Sequence, residues 1–131
     1  MNLASLKIET IEALFDSINV DVSFVDAEDR VAYFNTPKSG RVFPRTRMDL
    51  GRKVQNCHPP QSLHKVNAIL DGFRSGSKAD ASFWIALGPK FIKIDYFPVV
   101  DSEGTYLGTV EVTQDATELR SLTGQRRILD E

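Results

Sequence analysis

The residues with the most evident chemistry lie side by side in the segment NCHPP, residues 56–60. Imidazole is a common axial ligand of haem iron, and one such ligand is enough for a gas or redox sensor. His58 is therefore a candidate metal ligand. Cys57 is a second candidate, because a thiol beside Lys53 and a helix start ionises more readily. The alternatives stay open: His58 caps the helix or bonds locally, and Cys57 is a small, inert residue.

A basic stretch precedes this segment and forms a second candidate site. Residues 38–53 contain six basic side chains against one acidic side chain, Asp49. We predict that Arg41, Arg45 and Arg52 bind an anionic group such as a carboxylate, a phosphate or a haem propionate, because guanidinium groups pair well with such anions. Two alternatives remain: the stretch faces the acidic residues 1–30 or solvent, or it binds an acidic partner protein.

The composition of the chain excludes several classes of site. Its 131 residues suffice for one domain with a substantial core. One cysteine excludes an intramolecular disulfide and any multi-cysteine zinc or iron–sulfur site. The net charge of −2 argues against non-specific nucleic-acid binding. No apolar run approaches the roughly 18 residues of a membrane span. We therefore expect a cytoplasmic protein that acts on neither nucleic acid nor membrane.

No sequence pattern indicates catalysis. The chain lacks a phosphate-binding glycine loop, an HExxH-type metal motif and a Ser/His/Asp nucleophile pattern. Its second histidine, His64, falls opposite the apolar stripe of its helix at about 100° per residue and is expected to face solvent. Histidine-based acid–base chemistry thus has few candidates. We expect that the protein is not an enzyme.

Hydrophobic periodicity predicts the elements that must position these residues. The predicted elements are helices over 3–18 and 59–75, strands over 20–25, 31–35, 80–87, 90–100 and 105–113, and a broken helical segment from 118. The first helix is amphipathic, and the stretch 36–56 is irregular, with proline and glycine turns. This order predicts an α+β domain with a five-stranded antiparallel sheet and helices on one face.

The three central strands are rich in aromatic residues. These residues are Phe83, Trp84, Phe91, Tyr96 and Phe97. Two interpretations stay open for them. They pack in the core or in a dimer interface, or some of them line a flat apolar pocket.

Three stretches of the sequence resemble PAS domains. DVSFVDAEDRVAYFN resembles the opening hairpin, GRKVQNCHPPQSLHKVNAILDGFRSG the helix before the central strands, and GTVEVTQDATEL the end of the last strand. Residues 115–117 (DAT) stand where the family has its Asp-Ile-Thr junction, with one conservative departure. The stretch RVFPRTRMDLGRKVQNCHPP is similar to PAS domains joined to hemerythrin-like domains in bacterial and archaeal proteins.

The resemblance implies a PAS fold made of three parts: an N-terminal dimerisation helix over 1–19, the PAS domain over 20–117, and a C-terminal helical extension over 118–131. PAS domains typically hold a small ligand between sheet and helices, dimerise through N-terminal helices and signal through the segment after the last strand, here Asp115 and Thr117. The resemblance thus implies a homodimeric sensor, with haem as the leading cofactor candidate and a signalling partner protein. The alternative is a ligand-free PAS interaction module.

Overall fold

The computed structural model describes residues 2–130, so Met1 and Glu131, the outer ends of the two predicted terminal segments, lie outside the described residues. Five antiparallel strands form one sheet in the order β2-β1-β5-β4-β3. The strands are β1 (Asp21–Asp26), β2 (Val31–Phe34), β3 (Ala81–Leu87), β4 (Lys90–Val100) and β5 (Tyr106–Asp115). The helices are α1 (Ile8–Ser17), α2 (Leu63–Ser75) and α3 (Thr117–Ser121). The predicted α+β architecture is confirmed.

The β1–β2 hairpin turns without a glycine. The Asp26 carboxylate accepts hydrogen bonds from the backbone N–H groups of Glu28 and Arg30, each at 3.0 Å. Asp29 adopts a left-handed conformation with φ of 65°, which aspartate tolerates better than most residues. An aspartate side chain thus closes the turn in the way that a glycine-containing backbone turn usually does.

Helix α2 covers the inner face of the sheet. It follows a 3₁₀ turn over Pro60–Ser62 and ends at Gly76, whose left-handed backbone lets its N–H donate to the Phe73 carbonyl at 3.2 Å. Leu70 is buried from α2 against a core cluster that also contains Val25, Val31 and Val54. The predicted helix and its stop at Gly76 are confirmed.

The two faces of the sheet do not follow the usual division into an apolar inner and a polar outer face. Asp21, Ser23 and Thr113 lie on the inner face and are almost fully buried. On the outer face, the strand register aligns the side chains of four strands in one apolar row. This row consists of Tyr33, Phe24, Val110 and Phe97. The outer face therefore combines an apolar row with the ion pair of Lys93 and Asp95 on β4.

Helix α1 is shorter than predicted and is attached at its C-terminal end. Residues 3–6 form a turn, with the Leu6 N–H donating to the Leu3 carbonyl at 2.9 Å, and the helix begins only at Ile8. The Phe15 ring packs edge-on against Tyr33, with centroids 5.8 Å apart. Leu14 stays 53 % exposed. The apolar stripe of α1 is therefore largely uncovered within one chain.

The C-terminal segment is only partly helical, in contrast to the helical extension predicted over 118–131. Helix α3 ends at Ser121, and Leu122 has an extended backbone with φ of −69° and ψ of 141°. A 3₁₀ turn follows over Ile128–Asp130. The side chains of Leu119 and Leu122 are exposed, so no packing face stabilises a longer helix here.

A buried polar network ties the irregular stretch after β2 to the sheet. The Arg41 guanidinium donates to the carbonyls of Phe43 and Asn35, both at 2.9 Å, and to the Ser23 hydroxyl at 3.1 Å. It also lies 3.8 Å from the Asp21 carboxylate, and both side chains are buried. Asp21 in turn accepts hydrogen bonds from two backbone N–H groups of residues 42 and 43, each at 2.9 Å.

Asn35 extends this network to β1 and α1. Its side-chain oxygen accepts from the Val22 N–H at 2.7 Å, and its amide nitrogen donates to the carbonyls of Phe15 at 2.8 Å and Val20 at 2.9 Å. These contacts argue for a structural role of Arg41, while the binding of an anionic ligand by Arg41 stays a prediction from the sequence. The donors of its guanidinium are taken up by the protein itself.

We expect Arg41→Leu to lower the free energy of unfolding by about 3–5 kcal/mol, because it leaves the buried Asp21 carboxylate without its cation. Urea denaturation of the purified protein measures this loss. Arg47→Leu is the matched control: Arg47 is exposed, and its replacement should change the free energy by less than about 0.5 kcal/mol. Equal stability of the two variants would contradict a structural role for Arg41.

Candidate functional site

A cavity of about 430 Å³ lies between the inner face of the sheet and α2. Its walls are mainly apolar, and we call it the apolar lobe. The apolar side chains that line it are Val25, Val54, Val66, Ile69, Leu70, Phe83, Ile85 and Ile94. Of the five aromatic residues on the central strands, Phe83 and Tyr96 line this cavity, which fits the prediction that some of the five line an apolar pocket.

A second cavity, of about 490 Å³, adjoins the first, and we call it the polar lobe. The irregular stretch supplies one side of it, with Arg45, Asp49, Arg52, Asn56 and Cys57. Four residues line both cavities: His58, Ile94, Tyr96 and Glu111. The two cavities are therefore two lobes of one site, with an apolar end beneath α2 and a charged end beside the basic stretch.

His58 lies at the boundary between the two lobes. It follows the 3₁₀ turn Val54–Cys57, and its extended backbone, with φ of −122° and ψ of 150°, carries the chain toward Pro59. It does not cap the helix, because α2 begins without a side-chain capping bond. Across residues 2–130, no hydrogen bond engages the half-buried imidazole. The ring is thus available to a ligand.

Cys57 contributes a thiol to the wall of the polar lobe. Its sulfur lies 3.8 Å from Nη1 of Arg45 and 3.8 Å from the backbone carbonyl of Lys53. The side chain is half-buried and packs against the core cluster. Cys57 therefore lies close to the site but is also part of the packing beneath it.

The two remaining predicted arginines differ in their surroundings. Arg52 is 51 % exposed at the mouth of the polar lobe, donates to the Asn56 carbonyl at 2.7 Å and lies 3.9 Å from the Asp49 carboxylate. Arg45 is half-buried and lines the lobe more deeply, beside Cys57. Of the three arginines, only Arg45 and Arg52 thus lie where a ligand could reach them.

Glu111 and Tyr96 form a polar pair that we did not predict from the sequence. They are directly opposite on β5 and β4, and Glu111 also accepts a hydrogen bond from the Thr113 hydroxyl at 3.1 Å. Burial, the charge of Glu111 and the hydrogen bond to it raise the pKa of Tyr96 well above its ordinary value. Tyr96 therefore remains a neutral donor at physiological pH. The alternation TVEVT indicates that Glu111 belongs to a polar strand face. It does not indicate that this face points toward the interior of the domain.

Asp115 and Thr117 lie away from the two-lobed site, at the end of β5. The Thr117 N–H donates to the Asp115 carboxylate at 3.0 Å, and its hydroxyl does so at 2.5 Å. These bonds lower the pKa of Asp115. The Thr117 hydroxyl also accepts from the Phe91 N–H at 2.9 Å. The start of α3 is thus held by a hydrogen bond to the beginning of β4.

The same end of the sheet receives the chain from α1. Asn19, Arg41, Lys90 and Asp115 line a small polar cavity of about 230 Å³ there. The segment that leaves α1 and the segment that leaves β5 are therefore neighbours. A displacement of one can be transmitted to the other over a short distance.

Between residues 2 and 130, no group of three or more His, Cys, Asp or Glu side chains is placed to hold a metal ion. In the same part of the chain, no helix has the length and apolar character to cross a membrane.

Comparisons with known proteins agree with the fold. A family model described as "PAS domain" matches residues 11–117. The C-terminal domain of a Streptococcus mutans protein is 30 % identical, with a TM-score of 0.81, over 90 % of this chain and 91 % of that one. No curated protein matches.

Two further bacterial structures share the fold at lower identity. The PAS domain of Bordetella pertussis BvgS is 17 % identical, with a TM-score of 0.59, over 86 % of this chain and 91 % of that one. A sensory box sensor histidine kinase of Vibrio cholerae is 14 % identical, with a TM-score of 0.55, over 89 % of this chain and 92 % of that one. Since the family model spans residues 11–117, the chain belongs to the PAS domain family.

Proposed function

We propose that this PAS domain is a non-enzymatic sensor that binds a small molecule in the two-lobed site and passes the signal on through its chain ends. The observation that carries the proposal is the site itself: a largely apolar cavity with a few polar side chains converging on it, which is typical of small-molecule sites. The similarity to a structure described as a sensory box sensor histidine kinase supports a signalling role. A connection to hemerythrin-like domains remains a prediction from the sequence.

Haem is our leading candidate for the bound molecule. His58 would be the residue that binds the iron, since its imidazole lies at the lobe boundary and makes no hydrogen bond within the described chain. The apolar lobe would surround the macrocycle, and Arg45 and Arg52 line the lobe where propionates would lie. A bound haem would supply an iron that responds to gas or redox state.

The signal would leave the domain at the end of the sheet where α1 and the β5–α3 junction meet. Residues 41–58 connect this end to the site, because Arg41 lines the small polar cavity while Arg45 and His58 line the polar lobe. A ligand that displaces this stretch would therefore also act on Asp115 and Thr117. This supports the role that the family resemblance implies for that junction.

We expect the purified protein to give a saturable Soret band when hemin is added, and His58→Ala to abolish this band or shift it. Absorption spectroscopy during a hemin titration measures both effects. His64→Ala is the matched control: His64 is exposed on α2, so its removal should leave the spectrum unchanged. Unchanged hemin affinity and spectrum in His58→Ala would remove His58 as the iron ligand.

A second candidate function is a ligand-free interaction module that pairs with another copy of the chain. The observation in its favour is the exposed apolar surface: Leu14 on α1 is 53 % exposed, and on the outer sheet face Trp84 is 62 % and Phe97 41 % exposed. The apolar row of the outer face begins at Tyr33, which Phe15 of α1 already contacts. A partner's α1 would continue this packing toward Phe97.

If this pairing occurs, Leu14→Glu should convert a dimer into a monomer, because the new charge would be buried in the interface. Sedimentation equilibrium at high micromolar concentration measures the change. Ala13→Glu is the control, since it adds the same charge to the opposite side of α1 and should leave the dimer intact. A wild-type protein that is monomeric under these conditions would contradict homodimerisation, and ligand-free dimers would favour the module over the sensor.

A further inference from the structure

We infer that the site takes an apolar molecule bearing a carboxylate, and that Arg45 is the residue that binds this carboxylate. The inference rests on the proposed function and deepens it, because it names the head-group chemistry of the molecule bound in the two lobes. It starts from the charges around Arg45. The guanidinium is half-buried, and among residues 2–130 no carboxylate lies within ion-pair distance of it.

Three of the four carboxylates that line cavities together with Arg45 accept hydrogen bonds from other groups. On the polar-lobe side, Glu111 accepts from Thr113 and Asp49 accepts from the Thr46 N–H at 2.8 Å. On the other side, Asp16 accepts from the Thr36 N–H at 2.8 Å. Glu12 lines a third cavity together with Asp16 and Arg45, and it forms no ion pair within the described chain. The hydrogen-bond acceptor of Arg45 within the described chain is the Cys57 sulfur at 3.8 Å, which is a weak one.

Because the half-buried guanidinium of Arg45 has no carboxylate partner, its charge is unpaired and some of its N–H donors lack an acceptor. An anion bound in the lobe would pair with this charge and accept these hydrogen bonds. The geometry favours a single negative charge. Of the two arginines that line the polar lobe, Arg52 lies 3.9 Å from the Asp49 carboxylate, so Arg45 is the one left without a carboxylate. Glu111 lines the same lobe and would repel a dianion such as a phosphate monoester. A carboxylate matches the planar guanidinium and carries one charge. The adjoining apolar lobe requires that the rest of the molecule be apolar.

Two sources share this chemistry: a haem propionate and the head group of an aliphatic carboxylic acid. Octanoate and 1-octanol form a matched pair that isolates the carboxylate, and hemin provides the other source. Isothermal titration of the wild-type protein should give octanoate binding at least about tenfold tighter than 1-octanol binding, since charge-assisted hydrogen bonds contribute about this much.

Arg45→Gln should weaken octanoate binding on the order of tenfold or more and leave 1-octanol binding unchanged. Arg45→Lys keeps the charge but not the paired donors, so its affinity for octanoate should lie between those of the wild-type protein and Arg45→Gln. Arg47→Gln is the control: Arg47 is exposed on the same stretch and does not line either lobe. Melting temperatures of all variants establish that they are folded.

The hemin titration distinguishes a haem propionate from an aliphatic carboxylic acid as the source of the carboxylate. It also distinguishes failure of the Arg45 inference from failure of the proposed sensor function. Loss of hemin affinity in Arg45→Gln without octanoate binding would support a propionate as the carboxylate. If Arg45→Gln and Arg45→Lys bind octanoate and hemin as tightly as the wild-type protein does, the inference is overturned. In that case, a Soret band that depends on His58 would still support the proposed function. Absence of binding by hemin, octanoate and 1-octanol would overturn both.

Discussion

The buried network of Asp21, Asn35 and Arg41 is the interaction on which the site depends. One guanidinium joins β1, β2 and the irregular stretch, and one asparagine side chain adds the end of α1. Because these groups are buried, each hydrogen bond has to be made within the protein. The network therefore fixes where the irregular stretch leaves the sheet, and with it the wall of the polar lobe from Arg45 to His58.

This constraint gives neighbouring arginines different functions. Arg41 is held inside the domain, whereas Arg45, four residues later, lines the cavity without a carboxylate partner in the described chain. The polar faces of β1 and β5, which point toward the interior, also determine where polar side chains lie. They place Ser23 within reach of Arg41 and Glu111 beside Tyr96, and they leave apolar side chains on the outer face. One face of the sheet thus lines the two cavities, and the other face carries the apolar row from Tyr33 to Phe97.

Local rules were sufficient to predict the strands and α2 from the sequence. The alternation of β3 and β4, the proline-led 3₁₀ turn before α2 and the stop at Gly76 depend on neighbouring residues alone. The role of Arg41 could not be predicted, because its partners at residues 21–23 and 35 are distant in sequence. Glu111 was missed because the polar face of an isolated strand is normally assigned to solvent. The short α1 and α3 reflect packing that the pattern does not contain.

The central claim is that small molecules bind between the inner sheet face and α2. An NMR titration of the isotope-labelled protein with hemin tests it directly, because the paramagnetic iron broadens only nearby signals. The account predicts that signals of Val66, Ile94 and Tyr96, which line the lobes, broaden first. The indole signal of Trp84, the single tryptophan, should persist on the outer face. Early loss of the Trp84 signal with unchanged cavity signals would contradict the account.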